Sequence, residues 1–168
     1  MAIGSERLVF RRYKDADIGF LAGLMADPEV MRFIGNGQTR DWTGAQAFLQ
    51  RIYQMYDHGD DMGLQLLVRK VDGIRIGHAG LVPQTVDGVE ETEIGYWLAR
   101  EFWGQGYASE AALALRKYGE GQLHKTRLIS LIQPGNTPSR RVAAKIGMTL
   151  EKEITRAGQD VCVYSTLR

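Results

Sequence analysis

Residues 93–111 read EIGYWLAREFWGQGYASEA, and they carry the clearest structural pattern in the sequence. Apolar residues alternate from Ile94 to Leu98, which predicts a strand that ends at Ala99. A short turn containing Gly104 and Gly106 then leads into an alanine-rich helix. A glycine-rich turn between a strand and a helix presents unpaired backbone N–H groups at the positive end of the helix dipole. This arrangement suits a phosphate or a pyrophosphate.

The glycine pair alone leaves two interpretations open. A tight connection without any ligand uses the same residues in the same place. The turn is not a Walker loop, because no Gly-Lys-Ser/Thr follows, and it is not Gly-x-Gly-x-x-Gly. The chain also lacks an acidic ribose ligand at the distance that a dinucleotide-binding unit requires. A nucleotide-binding α/β protein is therefore not favoured.

The flanking sequence predicts further strands and helices around this stretch. Strands are predicted at 8–12, 64–70, 74–82, 93–99, 126–132, 149–155 and 160–167. Helices are predicted to begin after Asp15, at a capping box formed by Thr43 and Gln46, after the glycine turn, and after a capping Thr137 with Pro138 as the first helical residue. The order β, α, α, β, β, β, α, β, α, β, β predicts an α/β fold with one mixed sheet.

Length and composition predict one domain covering residues 1–168. Lys and Arg number 21 against 20 Asp and Glu, so the net charge of +1 gives no general reason to bind nucleic acid. No apolar run approaches the roughly 18 residues that a membrane helix needs, and no membrane partner is predicted. The single cysteine, Cys162, excludes an internal disulfide framework and predicts a cytoplasmic protein.

Two blocks of sequence resemble a known family. The segments Glu93–Leu98 and Trp103–Ala111 closely resemble the acyl-CoA signature of the GNAT superfamily of N-acetyltransferases, and most of all its RimJ/RimL-type branch. The segments Asn136–Ser139 and Ala144–Met148 resemble that branch's Asn-x-x-Ser…Lys-x-Gly-Phe block. Residues 8–17 and 160–165 match as well, so the resemblance covers nearly the whole chain.

The resemblance implies a single GNAT-type domain with a central mixed, mostly antiparallel twisted sheet flanked by helices. It also implies acetyl-CoA as cosubstrate and an amine as acceptor. The residues implied to bind the cofactor are Trp97, Leu98 and Ala99 for the pantetheine arm, and Trp103, Gly104, Gln105, Gly106, Tyr107, Ala108 and Ser109 for the pyrophosphate. Asn136 is implied to contact the pantetheine amides, and Lys145 to reach the phosphates. Because Trp103 replaces the Arg or Gln of many members, backbone N–H groups are left to hold the charge.

Acetyl transfer to an amine needs a proton acceptor for the ammonium and a hydrogen-bond donor for the departing thiolate. Glu93 falls at the strand position where a carboxylate acts as base in several GNAT enzymes; the alternative is an ordinary surface glutamate. Ser139 matches the serine that the RimL-like branch places near the sulfur; the alternative is a capping role in its helical turn.

The remaining titratable residues carry simpler interpretations. His78 either lines the acceptor cleft or packs in the core. No pair of histidines and carboxylates has metal-ligand spacing, so no metal is predicted.

The predicted function is acetyl-CoA-dependent N-acetylation of a primary amine, either a protein N-terminus or a small molecule. A non-catalytic acyl-CoA-binding module of the same fold is the alternative, and a homodimer is possible, as in relatives.

Overall fold

The computed structural model describes residues 3–166. Its strands are β1 (Leu8–Arg12), β2 (Gly63–Arg69), β3 (Arg75–Val86), β4 (Val89–Leu98), β5 (Ile129–Ile132), β6 (Thr149–Arg156) and β7 (Gln159–Ser165). Its helices are α1 (Ile18–Ala26), α2 (Pro28–Met31), α3 (Trp42–Met55), α4 (Tyr107–Gly121) and α5 (Thr137–Lys145). Single 3₁₀ turns lie at Asp15–Asp17, Tyr56–His58 and Arg100–Phe102.

The seven strands form one sheet in the order β1-β2-β3-β4-β5-β7-β6. β4 and β5 run parallel, and every other neighbouring pair is antiparallel. The predicted α/β fold with a mixed, mostly antiparallel sheet is therefore confirmed. Among the helices of residues 3–166, none is both long enough and apolar enough to cross a membrane.

Helices cover both faces of the sheet. On one face α4 buries Ala111, Ala112 and Leu115 in a cluster with Ile94 and Leu98 of β4. On the other face, α1 and α3 contribute a second cluster; its members include Leu21, Met25, Ala45, Leu49, Ile52, Leu64, Leu66 and Val82. Since strand side chains alternate between faces, β4 serves both clusters and is central to the molecule.

Three predicted helix caps are wrong. Asp15 is the first residue of the 3₁₀ turn, and Asp17 is the residue that precedes α1, so Asp15 caps neither element. In the other two cases a nearby Asx residue takes the position. Asp41 caps α3 by accepting from the Gly44 N–H at 2.8 Å, which leaves Thr43 inside the first turn. Asn136 caps α5 by accepting from the Ser139 N–H at 3.3 Å, so Thr137 is the first helical residue and Pro138 the second. Short Asp and Asn side chains reach the N3 amide readily, which explains the shift.

Strand lengths also differ from the prediction. β3 and β4 extend to a tight turn at Asp87–Gly88 and form a long hairpin in which Pro83 lies opposite Thr92. The predicted strand 126–132 contains only Ile129–Ile132. The predicted end of the last strand at Leu167, and the ends of the predicted domain, lie outside the described residues.

A buried carboxylate joins β1, β3 and the first 3₁₀ turn. Asp17 is 1% exposed and accepts hydrogen bonds from Arg11 Nη1 and Nη2 at 2.8 and 2.9 Å and from Arg75 Nη1 at 3.2 Å. The Lys14 N–H donates to it at 3.0 Å. Arg11, followed by the backbone donor and Arg75, overcomes burial and lowers the pKa of Asp17 to about 2.

This network predicts an acid-sensitive contribution to stability. Because the folded pKa of Asp17 lies below its unfolded value, the contribution is complete above about pH 4 and is lost as the pH falls toward 2. We expect about 2 kcal/mol of unfolding free energy to disappear over that window. Urea midpoints measured between pH 6 and 2 check this. Asp17→Asn should be less stable at pH 6 and lose less on acidification, whereas exposed Asp57→Asn should follow the unmodified chain.

Candidate active site

β4 and β5 separate in the middle of the sheet. Their register contains the single pair Glu93–Ile129, although both strands continue beyond it. Side chains replace the bonds that a continuing ladder would make: Ser130 Oγ donates to Ile94 O at 2.8 Å, and the Leu131 N–H donates to Glu93 Oε2 at 3.2 Å. We call the opening between the two strands beyond Glu93 the split. Within residues 3–166, the β4 backbone beyond this pair forms no ladder with β5, and it lines the split.

Alternation along β4 determines which backbone groups face the split. The Ala99 N–H donates to Ile76 O at 2.9 Å, so the register places the backbone groups of Trp97 toward β3 as well. The groups of Tyr96 and Leu98 then face β5. Of the three residues expected to hold a pantetheine arm through their backbone, Leu98 is in position, whereas Trp97 and Ala99 are paired with β3. Tyr96 was not anticipated.

The glycine loop, Trp103–Gly106, leads directly into α4. Gly104 and Gly106 have φ of 73° and 81°, a left-handed conformation that glycine adopts without strain. Within residues 3–166, the backbone N–H groups from residue 104 to residue 109 have no hydrogen-bond acceptor. A run of free donors at the start of a 15-residue helix suits a diphosphate.

The N-terminal segment holds this loop in place. Glu110, in the first turn of α4, accepts from Ser5 Oγ at 2.5 Å, from the Arg7 N–H at 2.8 Å and from Arg7 Nε at 2.7 Å. Arg7 also donates from Nη1 to Gln105 O at 3.0 Å, and its guanidinium lies 4.1 Å from the centre of the Tyr107 ring. The loop donors are therefore preorganised by a contact about 100 residues away in sequence.

The loop side chains divide into structural and accessible groups. The Trp103 indole N–H donates to Leu98 O at 2.9 Å, so Trp103 joins the loop to the end of β4. The Tyr107 side chain is buried, which leaves its backbone N–H as the group available to a ligand. Gln105 donates to Glu101 O at 3.1 Å and is exposed. Ala108 and Ser109 are half-buried at the helix start.

Glu93 lies at the point where the split begins. Its Oε1 accepts from Gln84 Nε2 at 2.9 Å, and its Oε2 from the Leu131 N–H. Gln84 Oε1 in turn accepts from Arg156 Nη2 at 2.8 Å, and Arg156 Nη1 donates to Thr85 O at 2.7 Å. The residue is half-buried. It therefore belongs to an ordered network and is not an ordinary surface glutamate.

The network leaves Glu93 with a perturbed acidity. Burial raises the pKa of Glu93 above its usual value, while the hydrogen bonds from Gln84 and Leu131 and the charge of Arg156 oppose that rise. Each carboxylate oxygen has two lone pairs, and one on each is engaged by these donors. A carboxylate with a raised pKa and free lone pairs is a suitable proton acceptor.

The start of α5 adjoins β4 on the sheet face that α4 also covers. Tyr96 Oη donates to Ser139 O at 3.0 Å, which fixes the first turn of the helix against the strand. Ser139 is half-buried, and Asn136 uses its Oδ1 for the cap. Lys145 is exposed at the last residue of α5, about 9 Å along the axis from Ser139. The structure brings Tyr96 and Ser139 together, and it places Lys145 at the other end of the helix.

The segment around α2 contacts residues just after the ends of β4 and β5. Asp27, which caps α2, pairs with Arg100 just after β4. Gly35 O accepts from Gln133 Nε2 just after β5 at 2.7 Å. A cavity of about 600 Å³ opens beside this bridge; it is lined by Gly19, Phe20, Gly23, Leu24, Asp27, Val30, Ala99, Arg100 and Glu101. This volume is in the range of small-molecule sites.

His78 is fully buried beside Trp97. Its Nδ1 is 2.7 Å from Tyr13 Oη, and its ring centre is 4.6 Å from that of Trp97. Burial lowers the pKa of His78 to about 3, so the imidazole is neutral at physiological pH. The core position, one of the two interpretations of the sequence, describes His78 in this structure.

Sequence reasoning missed the partners of Glu93. Gln84 sits diagonally across the β3–β4 pair from Glu93, a relation that follows only once the hairpin register is known. Arg156 comes from β6, which is not a neighbour of β3 or β4 in the sheet. Neither residue carries a local sequence signature.

Comparison with known proteins places the chain in a family. The model of the acetyltransferase (GNAT) domain matches residues 7–149. The chain therefore belongs to the GNAT acetyltransferases, which transfer an acetyl group from acetyl-CoA to an amine. The resemblance noted in the sequence is confirmed, and the protein is an N-acetyltransferase by family.

Individual relatives agree. The uncharacterized protein YkkB of Bacillus subtilis (strain 168) is 36% identical over 165 residues, covering 95% of this chain and 92% of YkkB. The crystal structure of a GNAT-family acetyltransferase from Bacillus anthracis superposes with a TM-score of 0.81 at 28% identity, covering 98% and 97% of the two chains. RimL, the ribosomal L7/L12 alpha-N-protein acetyltransferase, solved in complex with coenzyme A, has a TM-score of 0.80 at 19% identity, covering 98% of this chain and 97% of that one. The likeness to RimL concerns the fold.

Proposed function

We propose that the protein transfers acetyl from acetyl-CoA to a primary amine by direct attack, with Glu93 as proton acceptor. The observation that carries this proposal is the placement of a hydrogen-bonded carboxylate of raised pKa at the start of the split. A carboxylate there can receive the proton of an ammonium that enters beside β4. The buried Cys162 is consistent with the cytoplasmic location predicted.

The protein groups proposed to bind acetyl-CoA are mainly backbone groups. The N–H groups of residues 104–109 are proposed to bind the pyrophosphate. Tyr96 and Leu98, whose backbone faces the split, are proposed to pair with the pantetheine arm and to polarise the thioester oxygen. Trp103, which stands where many members have Arg or Gln, supports this region by donating a hydrogen bond to Leu98 O.

The acceptor is proposed to be either a protein N-terminal amine or a small amine. A screen decides between these classes: acetyl-CoA is incubated with N-terminal peptides, polyamines and aminoglycosides, and thiol release is measured. Turnover with peptides alone supports the first class, and turnover with small amines alone supports the second. If acetyl-CoA binds saturably and no amine releases thiol, the non-catalytic acyl-CoA-binding module becomes the better description.

Ser139 is proposed to donate a hydrogen bond to the departing thiolate. Because Asn136 supplies the cap of α5, the hydroxyl of Ser139 is not needed for that purpose. Ser139→Ala should therefore lower turnover about tenfold or more, with a thermal midpoint within about 1 °C of the parent. Asn136→Ala should instead lower stability by about 1 kcal/mol. Unchanged turnover in Ser139→Ala would remove the donor role.

A further inference from the structure

A chain of three side chains connects the β6–β7 hairpin to the split. Arg156, the last residue of β6, donates to Gln84 Oε1 at 2.8 Å, and Gln84 Nε2 donates to Glu93 Oε1 at 2.9 Å. Arg156 is anchored by a second bond from Nη1 to Thr85 O at 2.7 Å. Both Gln84 and Arg156 are half-buried, so the contacts are partly shielded from water.

The residues at the two ends, Arg156 and Glu93, determine the direction of the hydrogen bonds among these three side chains. A guanidinium can only donate hydrogen bonds, so the atom of Gln84 that meets Arg156 is the carbonyl oxygen. The amide NH₂ of Gln84 must then point to Glu93, and Oε1 of Glu93 must accept. An ionised carboxylate accepts at both oxygens, and its Oε2 accepts from the Leu131 N–H. The arrangement therefore favours the proton-free form of Glu93 in one fixed orientation.

We propose that Gln84 and Arg156 are positioning residues for the proton acceptor: Arg156 orients the Gln84 amide, and Gln84 holds the Glu93 carboxylate at the start of the split, ready to receive a proton. This inference rests on the proposed function of Glu93. It adds that the competence of the site depends on the late hairpin, which is also joined to the β3–β4 turn by Lys152 and Asp87 at 3.0 Å.

Other charges around Glu93 do not replace this chain. Glu91, on the same strand face two residues earlier, is neutralised by Arg127 at 3.0 Å. Tyr96, the nearest titratable residue beyond Glu93 on β4, is affected by the Glu93 charge, and burial raises the pKa of its phenol. Within residues 3–166, Arg156 is thus the positive group that acts on Glu93, through Gln84 and directly.

The proposal is tested by substitutions that keep side-chain volume. Gln84→Met removes the donor to Glu93, and Arg156→Met removes the donor to Gln84. In protein labelled with ¹³C at glutamate carboxyls, the Glu93 resonance is the one lost in Glu93→Gln. Because both changes remove groups that favour the charged form, its titration midpoint should move upward, by about half a pH unit or more in Gln84→Met. Exposed Gln122→Met and Arg40→Met serve as matched controls and should leave it unmoved.

Kinetics with the best acceptor from the thiol-release screen provide a second readout. Gln84→Met should lower kcat about threefold or more near neutral pH, with a deficit that shrinks as the pH rises and an acetyl-CoA Kd within about twofold of the parent. Arg156→Lys keeps the charge and should recover part of the loss seen in Arg156→Met. In a Glu93→Gln background, Gln84→Met should have no further effect on kcat.

The outcomes separate the two proposals. An unmoved Glu93 titration in both folded Met variants overturns the positioning role, whatever happens to Glu93→Gln. If Glu93→Gln leaves turnover intact, the base role fails and the positioning inference falls with it. If Gln84→Met does not fold, as judged by its thermal transition, Arg156→Met gives the same titration test from outside the β3–β4 pair.

Discussion

Glu93→Gln is expected to lower turnover about 10²- to 10⁴-fold and to leave the acetyl-CoA dissociation constant within about twofold. The amide is nearly isosteric with the carboxylate and keeps one oxygen for the network, but it cannot accept a proton at neutral pH. The donors proposed for the pyrophosphate begin at Gly104, beyond the end of β4, so we expect cofactor binding not to depend on the charge of Glu93.

Two measurements are needed for this variant. Thiol release with saturating acceptor gives turnover, and calorimetry with acetyl-CoA gives affinity. Glu90→Gln is the matched control, because Glu90 is an exposed residue of the same strand outside the split. Equal losses of turnover and affinity in Glu93→Gln would point to a structural role and would remove the proton acceptor from the mechanism.

Free donors and a carboxylate lie at the two ends of the part of β4 that has left β5. β4 carries Glu93 where it leaves β5 and ends at Leu98, just before the glycine loop. A thioester held along this strand by backbone groups would therefore lie between its diphosphate anchor and the base. The geometry follows from the parting of β4 and β5, which Ser130 and Glu93 stabilise by satisfying groups that would otherwise be unpaired.

Strong local patterns made much of the fold predictable. Alternation from Ile94 to Leu98 and the glycines before α4 each act within a few residues, and the structure has both. The N-cap residues were harder to predict, because several polar residues lie near each helix start. Which of them occupies the N-cap position depends on the backbone conformation. Asp41 and Asn136 take these positions by accepting hydrogen bonds from the amides three residues on.

Long-range contacts could not be predicted in the same way. The clamp of Glu110 by Arg7 joins residues 103 positions apart, and Arg156 reaches Gln84 across 72 positions. No sequence spacing predicts either contact, because each pair meets only once the order of the strands in the sheet is fixed. The pairing of Trp97 and Ala99 with β3 likewise required the hairpin register. The sequence indicates candidate residues for the site, but it does not indicate which residues contact them.

Gly80→Ala is expected to destabilise the protein by about 3 kcal/mol or more, a large part of the stability of an ordinary domain. A Cβ at this position would lie 2.0 Å from Gly63 O and 2.8 Å from Leu64 Cα, both backbone atoms of β2. Backbone cannot swing aside as a side chain does, so β2 would have to move away from β3. That movement would disturb the second cluster, which α1 and α3 help to form and which contains Leu64 and Leu66.

Gly95→Ala is the matched control for this prediction, because Gly95 lies directly opposite Gly80 in the β3–β4 register. Its added Cβ would meet Val82 Cγ2 at 3.7 Å and Leu64 Cδ2 at 3.8 Å, which are ordinary contacts. Urea unfolding should show a large drop in midpoint for Gly80→Ala and little change for Gly95→Ala. Equal midpoints for the two variants would contradict the prediction. They would mean that the β2 backbone at Gly63 moves away from the added Cβ with no loss of unfolding free energy.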